Sequence, residues 1–402
     1  MALMPVADAL AAILAGAAPL PAETVALDDA FHRVLAHDAA SQRTQPPAAM
    51  SAMDGYAVCA ADATLGARLK VIGEVAAGRP FEHPLGRGEA LRIFTGGVIP
   101  DGADAVVIQE NTARDGATVI VEQAAITGGN IRPAGIDFNK GDVLLRGGIR
   151  LTDRDLSLAA GMNHPALDVR RRPKLALLAT GDELVMPGTI PGPGQIVYSN
   201  GYALRALARA EGADVIDLGI ATDTMDATVA GIRRARDAGA DILITTGGAS
   251  VGDHDLVQQA LKAEGVSMAF WKIAMRPGKP MMHGRLDAMR VLGLPGNPVS
   301  SYVCALLFMV PLIRALAGRN DIHHRLQPAV LGRDLPANDL REDYLRATLA
   351  KGDDGSLIAT AVTRQDSSLL GNLSAADALV IRAPHAPAAF AGDPCRVLLL
   401  PR

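Results

Sequence analysis

Between residues 174 and 318 the apolar positions switch period in a regular way. KLALLATG (174–181), DVIDLGI (214–220) and DILITTGG (241–248) are short apolar runs of strand length. Between them GYALRALARAEG (201–212) and DATVAGIRRARDAG (226–239) carry apolar residues at helical spacing, and Gly239 stops the second. DLVQQALKAEG (255–265) predicts another helix, with Asp253 or Asp255 as its N-cap. VSMAFWKIA (266–274) and RVLGLPG (290–296) are two further strand candidates, and VSSYVCALLFMVPLIRAL (299–316) closes the region as a helix. Strand–helix alternation of this kind predicts a doubly wound, mostly parallel α/β sheet covered on both faces. Ligands of such sheets sit beyond the carboxyl ends of the strands. ATGDE, TTGGAS and LPGNP should therefore share one rim.

The flanks read differently. LKVIGEV, ALRIF, AVVIQE and ATVIVE, within residues 46–140, are short β-type runs among many glycines and predict an irregular β domain. YLRATLA, LIATAV, ALVIRA and RVLLL predict a small β-barrel-like domain over 326–402. Residues 1–21 and 141–170 are expected to form an elongated linker and dimerisation domain. Residues 22–45 are assigned with 171–325 to the α/β domain.

Composition narrows the function classes. The chain has 402 residues, 49% hydrophobic and 20% charged, enough for several cores, and its net charge of −4 argues against a general nucleic-acid or acidic-membrane binder. An anionic ligand must then be met by a local cluster of basic residues. Cys59, Cys304 and Cys395 are odd in number and form no CxxC pair, which suits a reducing cytoplasm and argues against a zinc site. The N-terminal run lacks a basic segment, so a secretory signal is not expected. The apolar stretch 302–316 is short and interrupted by Pro311, so a buried helix is expected and not a membrane span.

TTGGASVGDHD (245–255) carries the candidate chemistry. Gly248-x-Ser250-x-Gly252 has the spacing of a nucleophile elbow, yet an elbow needs its helix to begin at the serine. Four residues intervene here, and Gly247 precedes the motif. The alternative is a cradle in which glycines let backbone N–H groups converge on phosphate at a helix N-terminus. A plain strand-to-helix turn is the bland reading. In AMRPGKP (274–280), with Lys272 just upstream, Pro277 and Gly278 force a turn between Arg276 and Lys279. The two cations can then point the same way and suit a compact oxyanion, unless both are simply solvated. Asp54, Asp137, Glu183 and Asp255 each stand at a turn, where a carboxylate is commonly a cap. Glu183 and Asp255 fall on the rim beside the proposed cradle, and carboxylates beside phosphate imply a bridging divalent cation, typically Mg²⁺. Pro298 near a helix start is ordinary N1 chemistry.

Together, SAMDGYAV (51–58), TGGVIPDGADAVV (95–107), RPAGIDFNKGD (132–142), ATGDEL, TTGGASVGDHD, AMRPGKP and LPGNPVSS resemble the molybdopterin molybdenumtransferase family, whose eukaryotic relatives include the C-terminal domain of gephyrin. The resemblance covers essentially the whole chain, in order. It implies an elongated homodimer that takes adenylylated molybdopterin and molybdate with Mg²⁺, releases AMP and leaves molybdenum on the dithiolene. It also implies as partners a molybdopterin adenylyltransferase and molybdoenzyme maturation proteins. Matched by position, Asp54, Thr95, Asp137, Glu183, Asp223 and Asp255 fall on the family's functional positions. Lys272, Arg276 and Lys279 match its basic segment, and Pro295 and Pro298 its PGNP turn. Arg341 of REDYLR and Ser367 of RQDSS match the oxyanion site. Gly247, Gly248, Ser250 and Gly252 belong to the nucleotide loop, with Ser250 a loop hydroxyl. Two departures stand out: PPAAM lacks the Phe-Asp often found before SAMDGYA, and Arg276 replaces a common Lys. A scaffold is the rival from another class, but such a protein could lose the acidic rim, which this chain keeps. A serine hydrolase built on Ser250 with Asp287 and His323 is the other.

Overall fold

The computed structural model describes residues 3–247 and 256–401, with nothing said of the side chains of Phe270 and Trp271. The central sheet has six strands in the spatial order 214–221, 174–180, 242–246, 289–294, 280–286, 267–272. The first three pairings are parallel and the last two antiparallel. Period-two alternation sends the strand Lys174–Thr180 into two cores. Leu175 and Leu177 pack with Leu204, Val299 and Val303 on one face, while Ala176 and Leu178 pack with Ile232, Val257 and Leu261 on the other. The sheet is thus covered on both faces, as predicted. The strand Pro280–Leu286 was not anticipated; it forms a hairpin with Met289–Leu294 around Asp287, whose φ is 51°.

The apolar stretch is one helical run, Pro298–Leu316, and most of it is buried. Pro311 has no N–H to give, and a π turn over Ala305–Met309 precedes it. His324 Nε2 lies 2.6 Å from the carbonyl oxygen of Leu306 in that turn and supplies a donor from outside the helix.

The N-terminal part contains a mixed six-stranded half-barrel with cores at Val58, Leu69 and Val107 and at Val75, Leu91 and Ile93. The C-terminal part is a closed five-stranded barrel, in which the long strand Glu342–Lys351 pairs with both 357–361 and 378–382.

Two assignments along the chain differ from expectation. Residues 22–45 do not join the α/β unit: Ala22–Ala26 pairs antiparallel with Ala166–Arg170, and Leu35 and Ala39 share a core with Leu145, Leu151 and Met162. The N-terminal helix Val6–Leu14 does the reverse and buries Ala9 and Ile13 in the α/β core. Arg285 and Arg290 reach the orphan carbonyls at its C-terminal end, including Ala15 O. Both segments are short and amphipathic, so periodicity identifies them but leaves their docking partners open.

Candidate functional site

A cavity of about 690 Å³ opens at the carboxyl ends of the central strands. Thr180, Thr246, Gly247 and the Pro295–Pro298 turn line its inner part. The chain leaves two strands through glycine, Gly181 at φ 145° and Gly247 at φ 89°. A Cβ on Gly247 would stand 2.2 Å from the backbone oxygen of Thr180, so only glycine lets these strand ends meet so closely. At Gly181 the same position lies 2.6 Å from the Glu183 carboxylate, which folds back over the turn.

Polar groups from two further segments complete the rim. Asn200 Nδ2 donates to Gly296 O at 2.7 Å. Asn297 N-caps the helix by position, but its side-chain amide donates to Ser367 Oγ at 2.9 Å, and Val299 N–H donates to Ser367 O at 3.0 Å. A turn of the C-terminal barrel is thereby stitched to the α/β rim, and Ser368 and Leu370 from that turn line the cavity.

Of the expected site residues, Glu183, Gly247, Pro295 and Pro298 line this cavity, and Ser367 is bonded to its edge. Glu183 is exposed, and its carboxylate has no protein partner among the described residues. Asp223 is held by reciprocal bonds with Asp182: Asp223 N–H donates to the Asp182 carboxylate at 3.0 Å, and Asp182 N–H returns the bond at 3.3 Å. That exchange ties the turn carrying Glu183 to the end of the neighbouring strand. Gly248, Ser250, Gly252 and Asp255, and the expected N-caps Asp253 and Asp255, lie outside the described residues. Neither Asp287 nor His323 lines the cavity.

The basic segment departs from expectation. Arg276 does not turn toward the cavity with Lys279. Met275–Arg276 pairs as a strand with Glu342–Asp343 of the barrel, and the guanidinium clamps Asp343 through Nε at 2.8 Å and through Nη2. It also lies 3.5 Å from Asp339. The Asp343 partner raises the Arg276 pKa further. Arg341 bonds the same Asp339 at 2.9 Å and does not line the cavity; its guanidinium holds the Asp339 carboxyl down at about 2. Arg276, Asp343 and Asn338 line a separate cleft of about 350 Å³. Lys279 is exposed beside Pro280, which does line the main cavity, and Lys272 is half-buried with its carbonyl accepting Met4 N–H at 3.0 Å. Strand pairing explains the departure, because backbone register to the barrel decides which way Arg276 projects.

Asp54 and Thr95 meet in the half-barrel. Asp54 Oδ1 accepts Thr95 N–H at 2.7 Å and Thr95 Oγ1 at 2.8 Å, which lowers the carboxyl pKa. Asp137 stands exposed on a turn whose N–H donates to Gln45 O at 3.1 Å. Neither Asp54 nor Asp137 lines the cavity. Among the described residues no group of three His, Cys, Asp or Glu side chains converges on a metal position.

Three contributors went unread in the sequence: Asn200, Asn297 and Arg346. Arg346 is only 1% exposed and has neutral partners, with Nε donating to Gln365 Oε1 at 3.1 Å and Nη1 to Asp366 O at 2.8 Å. Burial lowers its pKa. A buried guanidinium held by neutral groups is costly, and this one supports the turn that carries Ser367. Its signal was strand alternation in EDYLR, which points Tyr344 and Arg346 to the same side.

The fold and cavity define a multidomain α/β protein with an open cavity at the strand ends, lined by its sheet and by a turn of the C-terminal barrel. Residues 4–162 match the description "MoeA N-terminal region (domain I and II)", 176–315 "Probable molybdopterin binding domain" and 328–400 "MoeA C-terminal region (domain IV)". A molybdopterin molybdenumtransferase of Bacillus subtilis (strain 168) is 35% identical over 387 residues, 94% of this chain and 90% of that one. One from Haemophilus influenzae is 38% identical over 306 residues, 75% of each chain. The solved structure of a molybdopterin biosynthesis MoeA protein from Pyrococcus horikosii is similar with a TM-score of 0.85 at 30% identity, covering 99% of both chains. The chain belongs to the MoeA family and has a role in molybdenum cofactor biosynthesis.

Proposed function

We propose that this chain is a molybdopterin molybdenumtransferase. It takes adenylylated molybdopterin and molybdate, the pyrophosphate link is cleaved with release of AMP, and the dithiolene sulfurs replace oxygen on molybdenum. The observation that carries this reading is the cavity itself. Open glycine turns and amide side chains stand beside a carboxylate, Glu183, that has no protein partner among the described residues, at the rim of a family-matched domain. Mg²⁺ is the implied cofactor, and a hard carboxylate oxygen suits it, since Mg²⁺ is commonly held by one or two carboxylates with water and substrate phosphates. Glu183 would hold it with Asp255, and when bound it would offset charge on the pyrophosphate during cleavage.

The chain's own groups do the positioning. Gly247 lines the cavity where the phosphate would lie, and the rest of the expected nucleotide loop, Gly248, Ser250 and Gly252, lies outside the described residues. Lys279, Lys272 and Ser367 meet molybdate from the barrel side, and juxtaposing two anions that repel in water supplies most of the rate gain. Arg276 and Arg341 enter through their carboxylate partners, which set the segment's geometry. Asp54 and Thr95, with Asp137, complete the site of a second copy in a homodimer. The setting is a reducing cytoplasm, with the adenylyltransferase that makes the substrate and the maturation proteins that take the product as partners.

The test supplies adenylylated molybdopterin, molybdate and Mg²⁺ and measures AMP and active cofactor, with Glu183→Gln beside the unmodified chain. The variant should keep its melting temperature and lose the Mg²⁺ response of AMP release. An unchanged response removes Glu183 from the metal site, and no AMP from the unmodified chain removes the activity.

A further inference from the structure

The main cavity carries, beside its polar groups, large apolar side chains that are partly open to solvent. Leu184 and Ile196 are register partners in the two-stranded pair 184–185 with 196–197, so they stand side by side on one face and both line the cavity. Ile196 is 55% exposed, and Leu370, which also lines the cavity, is 42% exposed. Lone exposed apolar residues are ordinary. Here Ile196 and Leu370 come from separate domains onto one cavity that already carries polar groups for an anion.

We infer that Leu184, Ile196 and Leu370 form an apolar clamp for a flat heteroaromatic ring of the substrate. The inference rests on the reading given under Proposed function and adds which face takes which end of the molecule. The phosphate end lies at Gly247 and Asn297, where N–H groups and amides can meet charge. The ring end lies against these three side chains, since aliphatic groups gain by covering an aromatic face and excluding water from it. Adenylylated molybdopterin carries two such rings, a purine and a pterin. The chemistry of the clamp is the same for either.

The segment that bears Leu184 and Ile196 is a small two-stranded flap. The 184–197 flap is tied by two register pairs, Leu184 with Ile196 and Val185 with Val197, and by a turn in which Gly192 N–H donates to Gln195 Oε1 at 2.9 Å. Gly188 and Gly194, at φ 93° and 81°, sit within it.

The experiment measures binding of AMP, ribose 5-phosphate and 6-hydroxymethylpterin to the full chain by calorimetry, with Ile196→Ser and the conservative Ile196→Leu. Ile196→Ser should weaken a ring-bearing probe by roughly five- to tenfold, the scale of half a buried side chain, and leave ribose 5-phosphate unchanged. Ile196→Leu should restore most of that loss. Loss confined to AMP identifies the ring as the purine, and loss confined to the pterin identifies it as the pterin. Equal weakening of all three probes, or no change in either ring-bearing probe, overturns the clamp while leaving the transferase reading standing. An unmodified chain that binds neither AMP nor the pterin overturns both. Unchanged melting temperatures of the two variants exclude misfolding as the cause.

Discussion

The cavity at the strand ends and the seam where Met275–Arg276 joins the barrel both carry charged residues in family-like motifs, yet they use charge in opposite ways. At the cavity Glu183 has no protein partner among the described residues, and the rest of its polar lining is backbone, amide and hydroxyl groups. At the seam Arg276, Arg341, Asp339 and Asp343 neutralise one another. A group left without an internal partner is available to a ligand, whereas a satisfied ion pair mostly fixes geometry. The number of charges in a motif therefore says little until their partners are known.

The sharpest way to break this contrast is Gly247→Ala. A methyl group 2.2 Å from the Thr180 carbonyl oxygen, on a residue at φ 89°, must push two strand ends apart. Activity should fall by about 100-fold or more, corresponding to about 3 kcal/mol at the transition state. Near-normal turnover would mean that the strand ends need not meet. The seam should respond in stability instead. Asp343→Asn removes the buried half of a bidentate pair, with its side chain 6% exposed against 45% for Arg276. Because Arg276 is partly solvated, the expected cost is about 1–2 kcal/mol rather than the larger cost of a fully buried pair. It would read as a melting temperature lower by a few degrees, with KM for nucleotide nearly unchanged. A large rise in that KM with no loss of stability would place the seam in the binding site.

A smaller effect concerns acid. The folded pKa of Asp339 is lowered from 3.8 to about 2, first by its Arg341 partner, so its contribution is full above about 3.8 and is lost as pH falls toward 2. Asp339→Asn should remove that part of the acid limb and leave stability near neutral pH lower by a constant amount. An identical acid limb in the variant, followed by circular dichroism, would show that the seam does not titrate with folding. The smallest change is expected for Tyr198→Phe. The hydroxyl of Tyr198 is buried against Gly201 with no hydrogen-bond partner among the described residues, and burial lifts its pKa to about 12. Removing an unsatisfied oxygen should shift stability by less than about 0.5 kcal/mol and leave ligand binding intact. A marked loss of binding would mean that the hydroxyl turns toward the cavity when a ligand enters.

Sequence pattern alone determined the α/β core, the barrel and the shared rim, because apolar period and glycine position are local properties of the chain. Leu175 and Ala176 declare two buried faces, and Gly181 and Gly247 declare strand ends, without reference to anything distant. Tertiary structure alone decided the rest. The exchange of residues 22–45 for the N-terminal helix depended on which core each amphipathic segment found. Arg276 projects toward Asp343 because of backbone pairing 67 residues away in the chain, and Asn297 reaches Ser367 across 70. Arg346 reads as one more surface cation until the barrel closes over it. Partner choice for a charged or amide side chain depends on distance and desolvation at the end of folding, and neither is a property of neighbouring residues in the sequence.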